Sequence, residues 1–399
     1  MCPDIESLIL SHRIVCSLRN MIFRFYKCQH NETLFLYLDV LISLAFDGYF
    51  GNDLRTHRTM GLTDRSIGIM KTGRLNLITD VAGVKVGHYT LSNQEIQTGV
   101  TAILPHEGNL FREKLLAGVS VINGFGKSVG LMQIDELGTL ETPIILTNTL
   151  SVGTATTALV RYMLAGDEQI GVSTSTVNPV VMECNDGTLN DIRGLHVKEE
   201  HVLAAIEDAK VEFAEGAVGG GTGMSCFGLK GGIGSASRVL ELDGSEYTVG
   251  ALVMSNCGVL KNLIVDGRKI GQEIQGQKDA AENLEKGSII MIVATDVPMC
   301  SRQLRRAAKR AAVALGRVGS YLGNGSGDIC LAFSTANRIE HYAERDLSSI
   351  GVINENRIDR VFRAVGEAVE EAILSSLMHG VDMVGRAGNR RESLRKYLK

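Results

Sequence analysis

A short run of apolar and β-branched residues at 289–294 most constrains what this chain can fold into. The run directly follows Gly287-Ser288 and closes on Thr-Asp-Val-Pro298, so it predicts a tight turn that leads into a buried strand. A serine at the start of such a strand can also be a nucleophile, and Gly287 carries no side chain that would keep an attacking atom from its carbonyl. Whether Ser288 is a turn residue or a nucleophile therefore decides the function.

From residue 75 onward, short apolar segments alternate with glycine-containing turns, and other segments repeat small and apolar residues at helical spacing. Strands are predicted at residues 76–89, 100–105, 118–124, 143–149, 180–184, 247–255, 260–266, 288–294 and 328–334. Helices are predicted at residues 151–164, 198–216, from after Pro298 to 318, and 357–379. This order predicts a mixed α/β fold in which stacked sheets are covered by helices.

The charge and the cysteines exclude several classes of protein. The 399-residue chain has a formal net charge of −4, so no positive field would recruit nucleic acid or an anionic membrane. Its 8 cysteines stand singly, without a CxxC pair or a Cys/His cluster, which argues against a zinc site and against a disulfide scaffold. Reduced thiols are typical of the cytoplasm, so we expect a cytoplasmic protein.

The first 70 residues differ from the rest, with little glycine and no strong start or stop signals for helices. They predict a poorly ordered extension, residues 1–70, before a single domain at 71–399. The apolar segment at 34–46 is shorter than the ~20 residues of a membrane helix and is interrupted by Asp39. It also begins late for a signal peptide. We therefore expect neither secretion nor a membrane anchor.

Three further stretches could take part in chemistry. The glycine-rich run at 219–224, followed by another at 230–234, could cradle phosphate, but it lacks the Gly-Lys-Ser/Thr of a P-loop, so a packed loop or a substrate-site wall is favoured. Asn256, at the end of a predicted strand, either satisfies turn hydrogen bonds or donates its amide to an oxyanion. Ser326 lies between two glycines that would expose its hydroxyl, and Asp328 faces the same way if the segment is extended. The alternative there is a glycine-rich turn capped by the aspartate.

A serine nucleophile needs a base, and the sequence offers no histidine for that role. No Gly-x-Ser-x-Gly elbow with a following Asp and His can be assembled, and the 9 histidines are scattered. An N-terminal α-amine, with a pKa of roughly 7.7–8.0, would serve as a base near neutral pH. Such an amine exists at Ser288 only if the Gly287–Ser288 bond is cut.

Many specific segments occur in one order over most of the chain. They are ITDVAGVKVGH at 78–88, PIILTN at 143–148, PVVMECNDG at 179–187, GGGTGM at 219–224, KGGIG at 230–234, SN at 255–256, GSII at 287–290, ATD at 294–296 and GSGDI at 325–329. On these segments, the part of the chain from about residue 75 to 388 resembles the L-aminopeptidase/D-esterase family, of the DmpA and β-peptidyl aminopeptidase type.

The resemblance implies an αββα sandwich, like that of N-terminal-nucleophile hydrolases but with different connectivity. It implies a precursor that cleaves itself into chains 1–287 and 288–399, whereupon Ser288 becomes the nucleophile of a hydrolase. The hydrolase would act on the N-terminal residue of peptides, amides or esters, with Asn256 as oxyanion donor. Ser326 and Asp328 would support the nucleophile and its amine. No metal or organic cofactor is needed, and a homo-oligomer, a tetramer of processed pairs, is expected.

The chain departs from the family pattern in two places. Asp328 stands where some members have a glutamate, so its carboxylate reaches one methylene less far. The segment Glu183-Cys-Asn185-Asp-Gly lacks the tyrosine of other members, so substrate choice does not transfer from the family. Candidate substrate-binding residues are Glu183, Asn185, Gly221 and Gly223.

Two other functions stay open at this point. Acyltransferases of the ornithine acetyltransferase type have a related self-processing architecture, but their nucleophile is a threonine in an Ala-Thr-Met-Leu context, unlike Gly287-Ser288. An uncut protein could instead bind a small amine or peptide without catalysis. Denaturing electrophoresis separates these functions, because a single intact band without a free amine at Ser288 would contradict the hydrolase interpretation.

Overall fold

The computed structural model describes residues 67–275 and 287–398, which belong to one compact unit, Arg65–Lys399. The predicted extension falls outside the described residues except for its last four. Those four already pack on the domain, because Ile67 is buried and the backbone N–H groups of Ile69 and Met70 donate to Glu367 Oε2 at 3.1 and 3.0 Å. The domain therefore begins earlier than the predicted boundary at 71. The apolar segment at 34–46 lies outside the described residues.

Strands and helices follow one another in clusters, as the hydrophobic pattern predicts. The strands are β1 Lys85–Asn93, β2 Ile96–Leu104, β3 Glu113–Gly124, β4 Thr139–Leu140, β5 Ile144–Asn148, β6 Val180–Cys184, β7 Ser225–Cys226, β8 Leu229–Lys230, β9 Gly232–Leu242, β10 Ser245–Asn256, β11 Ser288–Thr295, β12 Gly327–Glu340, β13 Met383–Val384 and β14 Arg390–Arg391. The α-helices are α1 Leu131–Leu137, α2 Val152–Gly166, α3 Glu199–Glu207, α4 Ile270–Gln275, α5 Ser301–Ala308, α6 Ala311–Val318 and α7 Asp359–Met378.

Two large sheets carry the fold. One has four strands in the order β1-β2-β5-β6, and the other has six in the order β4-β3-β12-β11-β10-β9. Neighbouring strands are antiparallel except for β5 with β6 and β11 with β12, which are parallel. The strand predicted at 288–294 is thus an inner strand of the six-stranded sheet, and all eight residues of β11 are buried.

The main hydrophobic core lies between the two sheets, and a second core lies under the helices of the smaller sheet. Side chains alternate between these cores along a strand, as on β2, where Ile103 belongs to the main core and Val100 and Ala102 to the second. The second core joins β2, β5 and β6 to α2 and α3. On the other side, α5 packs on β3 and β12, and α7 packs on β9 and β10. The layers are therefore α, β, β, α, as predicted.

Glycines allow the outer helices to approach the larger sheet closely. A Cβ on Gly118 of β3 would lie 2.4 Å from the backbone nitrogen of Arg305 in α5. A Cβ on Gly234 of β9 would lie 2.0 Å from the carbonyl oxygen of Ala372 in α7. Larger residues would push these helices away from the sheet.

Four predicted elements differ in the structure. The first part of the strand segment predicted at 76–89 is a 3₁₀ turn, Ile78–Asp80, and β1 begins only at Lys85. The segment 260–266 is not a strand but a 3₁₀ turn, Leu260–Asn262, with one β-bridge from Val265 to Arg268. Leu263 and Val265 are nevertheless buried, at 0% and 3% exposed, although they lie in a loop. The helix predicted to reach residue 216 ends at Glu207, because the chain then runs along β1. The single helix predicted after Pro298 is two helices, α5 and α6.

Candidate active site at the ends of the central strands

The register of the larger sheet brings together residues that lie far apart in the sequence. Asn256, the last residue of β10, is paired with Ser288, the first residue of β11. On the other side, Ser288 is paired with Gly327, the first residue of β12. Because β11 and β12 are parallel and start side by side, Ser326 and Asp328 flank the position next to Ser288. Four of the predicted site residues therefore meet at one edge of the sheet.

The Ser288 hydroxyl lies beside the carbonyl that precedes it. Its Oγ donates to the Gly287 carbonyl oxygen at 2.7 Å and accepts from the Gly327 N–H at 3.2 Å. The same N–H also donates to the Gly287 carbonyl oxygen, at 3.1 Å. A Cβ on Gly287 would lie 2.2 Å from the Asn256 carbonyl oxygen, so only glycine fits at this position. The Ser288 hydroxyl and the Gly287 carbonyl are thus held together at the point where β11 and β12 begin.

The Asn256 side chain is fixed by two hydrogen bonds. Its Oδ1 accepts from the Ser225 N–H at 2.8 Å, and its Nδ2 donates to the Asn185 carbonyl oxygen at 3.0 Å. An amide nitrogen carries two hydrogens, so one donor remains for a ligand. Asn256 lines the same cleft as Ser288, and a donor fixed in this way suits the stabilisation of an oxyanion.

Ser326 and Asp328 form a buried pair beneath the strand edge. The Ser326 hydroxyl donates to Asp328 Oδ1 at 2.6 Å, so the two side chains face one another. Ser326 is 0% and Asp328 1% exposed, and the expectation that the flanking glycines expose the hydroxyl is wrong. The backbone around Ser326 packs under Phe125, whose N–H donates to the Ser326 carbonyl at 3.3 Å. Neither side chain of the pair lines the cleft in front of Ser288.

An open cleft of about 1460 Å³ lies in front of Ser288. Glu183 and Asn185 line it, together with Asn256. Glu183 is buried and accepts hydrogen bonds from the backbone N–H of Lys127 at 2.9 Å and from the Thr149 hydroxyl. A buried carboxylate held in this way presents negative charge to a ligand in the cleft.

Gly221 and Gly223 do not reach the cleft, which corrects the prediction for both. A Cβ on Gly221 would lie 2.5 Å from the Ile233 nitrogen, and one on Gly223 would lie 2.1 Å from the Gln97 carbonyl oxygen. The buried Lys230 holds this loop, because its Nζ donates to three carbonyl oxygens, those of Gly221, Met224 and Gly231, at 3.1, 2.9 and 2.7 Å. The glycine-rich run is therefore a packed loop.

Lys230→Met is expected to destabilise the domain by about 3 kcal/mol, because it leaves buried carbonyl oxygens without their ammonium donor. Burial lowers the pKa of the Lys230 amine to about 7, although the nearby Cys226 and Asp186 oppose this effect. Thermal unfolding compares this variant with Lys309→Met, which removes an exposed lysine. Equal midpoints for the two variants would contradict the structural role.

Sequence reasoning missed several residues that line the cleft. Lys127, Thr149 and the pair Arg386 and Arg391 come from three separate segments, and no local motif marks them. No group of three or more His, Cys, Asp or Glu in residues 67–275 and 287–398 is placed to hold a metal ion. No helix among the same residues is long and apolar enough to cross a membrane.

Residues 76–391 match peptidase family S58. A beta-peptidyl aminopeptidase, BapA, of Sphingosinicella microcystinivorans is 43% identical over 341 residues, which cover 80% of this chain and 85% of that protein.

Two solved structures show the same fold. The PH0078 protein from Pyrococcus horikoshii OT3 has a TM-score of 0.80 and 55% identity over 83% of this chain and 94% of its own. The L-aminopeptidase D-Ala-esterase/amidase from Ochrobactrum anthropi has a TM-score of 0.77 and 36% identity over 83% of this chain and 95% of its own. The latter is described as a new variant of the Ntn hydrolase fold and a prototype of the serine aminopeptidases. The predicted fold class is thereby confirmed.

The match to the family covers most of the chain, and the relatives are aligned over most of their own length. The layered fold and the cleft at the strand ends agree with this match. The chain therefore belongs to peptidase family S58 and is a hydrolase of the aminopeptidase and amidase type.

Proposed function

We propose that the chain cleaves itself between Gly287 and Ser288, and that Ser288 then releases N-terminal amino acids from peptides, amides or esters. The observation that carries this proposal is the position of Ser288. Its Oγ lies 2.7 Å from the Gly287 carbonyl oxygen, at the edge of an open cleft and opposite the fixed amide of Asn256.

The self-cleavage step needs only groups at the starts of β11 and β12. The Ser288 Oγ attacks the Gly287 carbonyl carbon, the C–N bond breaks, and the Ser288 nitrogen takes up the hydroxyl proton and becomes an amine. The N–H of Gly327, 3.1 Å from the Gly287 oxygen, stabilises the negative charge that develops there. Water then hydrolyses the resulting ester, which leaves a carboxylate on Gly287 and restores the hydroxyl.

Substrate hydrolysis repeats this chemistry on a bound molecule. The Ser288 hydroxyl attacks the substrate carbonyl carbon while its own α-amine accepts the proton, and Asn256 Nδ2 donates to the oxyanion. The amine passes the proton to the leaving group, and water then releases the acyl group from the serine. The Ser326–Asp328 pair orients Ser288 and its amine. Activity should rise through the α-amine pKa of roughly 7.7–8.0, since the base must be unprotonated.

In this proposal, Glu183 recognises the free amine of the substrate. Its carboxylate lines the cleft with Ser288, and buried carboxylates bind ammonium groups strongly. Asn185 holds Asn256 through its backbone carbonyl. The relatives include a beta-peptidyl aminopeptidase and an L-aminopeptidase D-Ala-esterase/amidase, so both α- and β-amino acids belong among the substrates to be tested.

Intact mass and a substrate panel test the proposal. We expect two polypeptides that end at Gly287 and begin at Ser288, and hydrolysis of p-nitroanilides of α- and β-amino acids. A single uncut polypeptide that hydrolyses these substrates would overturn the proposal that Ser288 acts as an N-terminal nucleophile. Transfer of the acyl group to an added amine in preference to water would favour the acyltransferase alternative.

We further propose that the processed pairs assemble into a homotetramer in the cytoplasm, as the family resemblance implies. The five cysteines of the described part form no disulfide with one another, which suits a reducing compartment. Light scattering on the purified protein measures the assembly, and a monomeric mass would contradict it.

A further inference from the structure

We propose that Arg386 and Arg391 form a second polar subsite in the cleft, which binds the C-terminal carboxylate of a short peptide substrate. The enzyme would then prefer peptide acids with a leaving group of one to three residues over the corresponding amides. This inference rests on the proposed function, because it takes the cleft as the place where peptides are hydrolysed.

The described lining of the cleft has a net positive charge, whereas the whole chain has a net negative charge. Its described lining carries four cationic side chains, and Glu183 is the one carboxylate in that lining. The cationic residues are Lys127, Lys261, Arg386 and Arg391. Because the whole chain carries −4, this local excess of positive charge is not a property of the general surface. It suits a ligand with an anionic group away from its amine.

Arg391 and its neighbour Arg390 have different environments although they are adjacent in β14. Arg390 is 54% exposed and pairs with Asp382 at 2.9 Å and Glu392 at 3.8 Å. Arg391 is half-buried, lines the cleft, and donates from Nη1 to the Arg390 carbonyl at 2.9 Å.

The Arg391 guanidinium is poorly compensated within the described part of the chain. Its Nε is buried there without a hydrogen-bond partner, and none of the ion pairs of that part includes it. Burial lowers its pKa, and no carboxylate opposes this effect. A guanidinium has five N–H donors in a planar fork that matches a carboxylate, and because Nε itself is buried, the terminal Nη donors are the ones that a substrate carboxylate in the cleft would reach.

Arg386 connects this subsite to the catalytic groups. Its Nη1 donates to the Gly187 carbonyl oxygen at 3.1 Å, while the Asn185 carbonyl oxygen accepts from Asn256 Nδ2 at 3.0 Å. Two extended residues span about 7 Å, so these two hydrogen bonds place the Arg386 guanidinium within about 13 Å of the Asn256 amide.

That distance limits the length of the peptide. From the attacked carbonyl to the C-terminal carboxylate, each leaving-group residue adds about 3.5 Å. One to three residues, followed by a hydrogen bond to the guanidinium, fit within the limit. Glu183 would hold the amine, Ser288 the scissile carbonyl and the two arginines the carboxylate, so that both ends of the peptide are recognised.

The experiment compares two matched substrates, Xaa-Gly-Gly and Xaa-Gly-Gly-amide, where Xaa is the residue cleaved fastest in the p-nitroanilide panel. We expect the kcat/KM ratio of acid to amide to be about tenfold or more for the wild type. It should fall towards one in the Arg386→Gln/Arg391→Gln double variant, with single variants between. Arg390→Gln removes a neighbouring arginine outside the cleft lining and should keep the wild-type ratio. Added NaCl should lower the ratio.

Two results would overturn the subsite: a wild-type ratio near one, or an unchanged ratio in the double variant. An unchanged ratio with an equal loss on acid and amide would indicate a purely structural role. Calorimetric binding of glycylglycine and glycylglycine amide to the wild type adds a readout that needs no turnover. Tighter binding of the acid supports the subsite even if no p-nitroanilide is hydrolysed, whereas that absence of hydrolysis counts against the proposed function alone. Equal binding of the two would contradict the subsite.

Discussion

Ser288→Ala is expected to remain one uncut polypeptide of 399 residues without measurable aminopeptidase activity. The variant lacks the oxygen that attacks the Gly287 carbonyl, so neither the ester nor the free α-amine can form. Denaturing electrophoresis and intact mass measure the cut, and p-nitroanilide hydrolysis measures the activity. The alanine removes two hydrogen bonds of Oγ, but it fits the strand, so the fold should persist.

Two further variants make this experiment decisive. Ser288→Thr keeps a hydroxyl at the same place and should still be cut, although more slowly, because its extra methyl group crowds a buried strand end. Ser173→Ala removes an exposed hydroxyl whose hydrogen bond, to Gln169, lies outside the cleft lining, and should leave both the cut and the activity unchanged. Thermal unfolding confirms that each variant is folded. Efficient cleavage of folded Ser288→Ala would show that another residue processes the chain.

Asn256→Ala is expected to lower kcat by about 10²–10³-fold with little change in KM, since an oxyanion donor acts in the transition state. The cut itself should still occur, because the Gly287 carbonyl oxygen is held by the Gly327 N–H at 3.1 Å rather than by the Asn256 amide. The result would be a processed protein with a free Ser288 amine that turns over slowly. Steady-state kinetics and intact mass on the same sample measure both properties.

The Asn256 side chain also ties Ser225 to Asn185, so a structural effect must be distinguished from a catalytic one. Asn256→Asp keeps the acceptor for the Ser225 N–H but replaces the amide donor with a carboxylate oxygen. Its kcat should fall to a similar extent. Asn337→Ala serves as the control, because Asn337 lies in the distal part of β12, outside the cleft lining, where its side chain bonds to Gly351. A rise in KM at constant kcat would contradict the oxyanion role of Asn256.

Much of the fold could be predicted because its strands are short, apolar and bounded by glycine. The run at 288–294 became β11, and the segment at 357–379 became α7, which buries Val361, Val365, Val369 and Ile373 at i, i+4 spacing. The strand predicted at 260–266, where the structure has a 3₁₀ turn and a loop, shows the limit of this reasoning. Leu263 is as buried as a strand residue, but burial by itself does not say whether the backbone pairs with a neighbour.

The candidate site, like the fold, could be predicted from the sequence only in part. Asn256, Ser288 and Asp328 stand at the ends of predicted strands or next to them, and Ser326 lies between two glycines, so local pattern singled them out. The glycine-rich run misled, because the role of Gly221 and Gly223 depends on Lys230 and on strands that lie elsewhere in the chain. Glycine marks a close backbone approach but not which group approaches.

By itself, the sequence determined the types of the elements and the residues at their ends, since hydrophobic period and turn residues act locally along the chain. Only the tertiary structure decided which ends meet. The pairing of β10, β11 and β12 places Asn256, Ser288 and Gly327 side by side, although 31 and 38 residues separate them in sequence. The tertiary structure also brought Arg386 and Arg391 to the cleft from the C-terminal hairpin. Such neighbours follow from long-range packing and strand register, which no local pattern encodes.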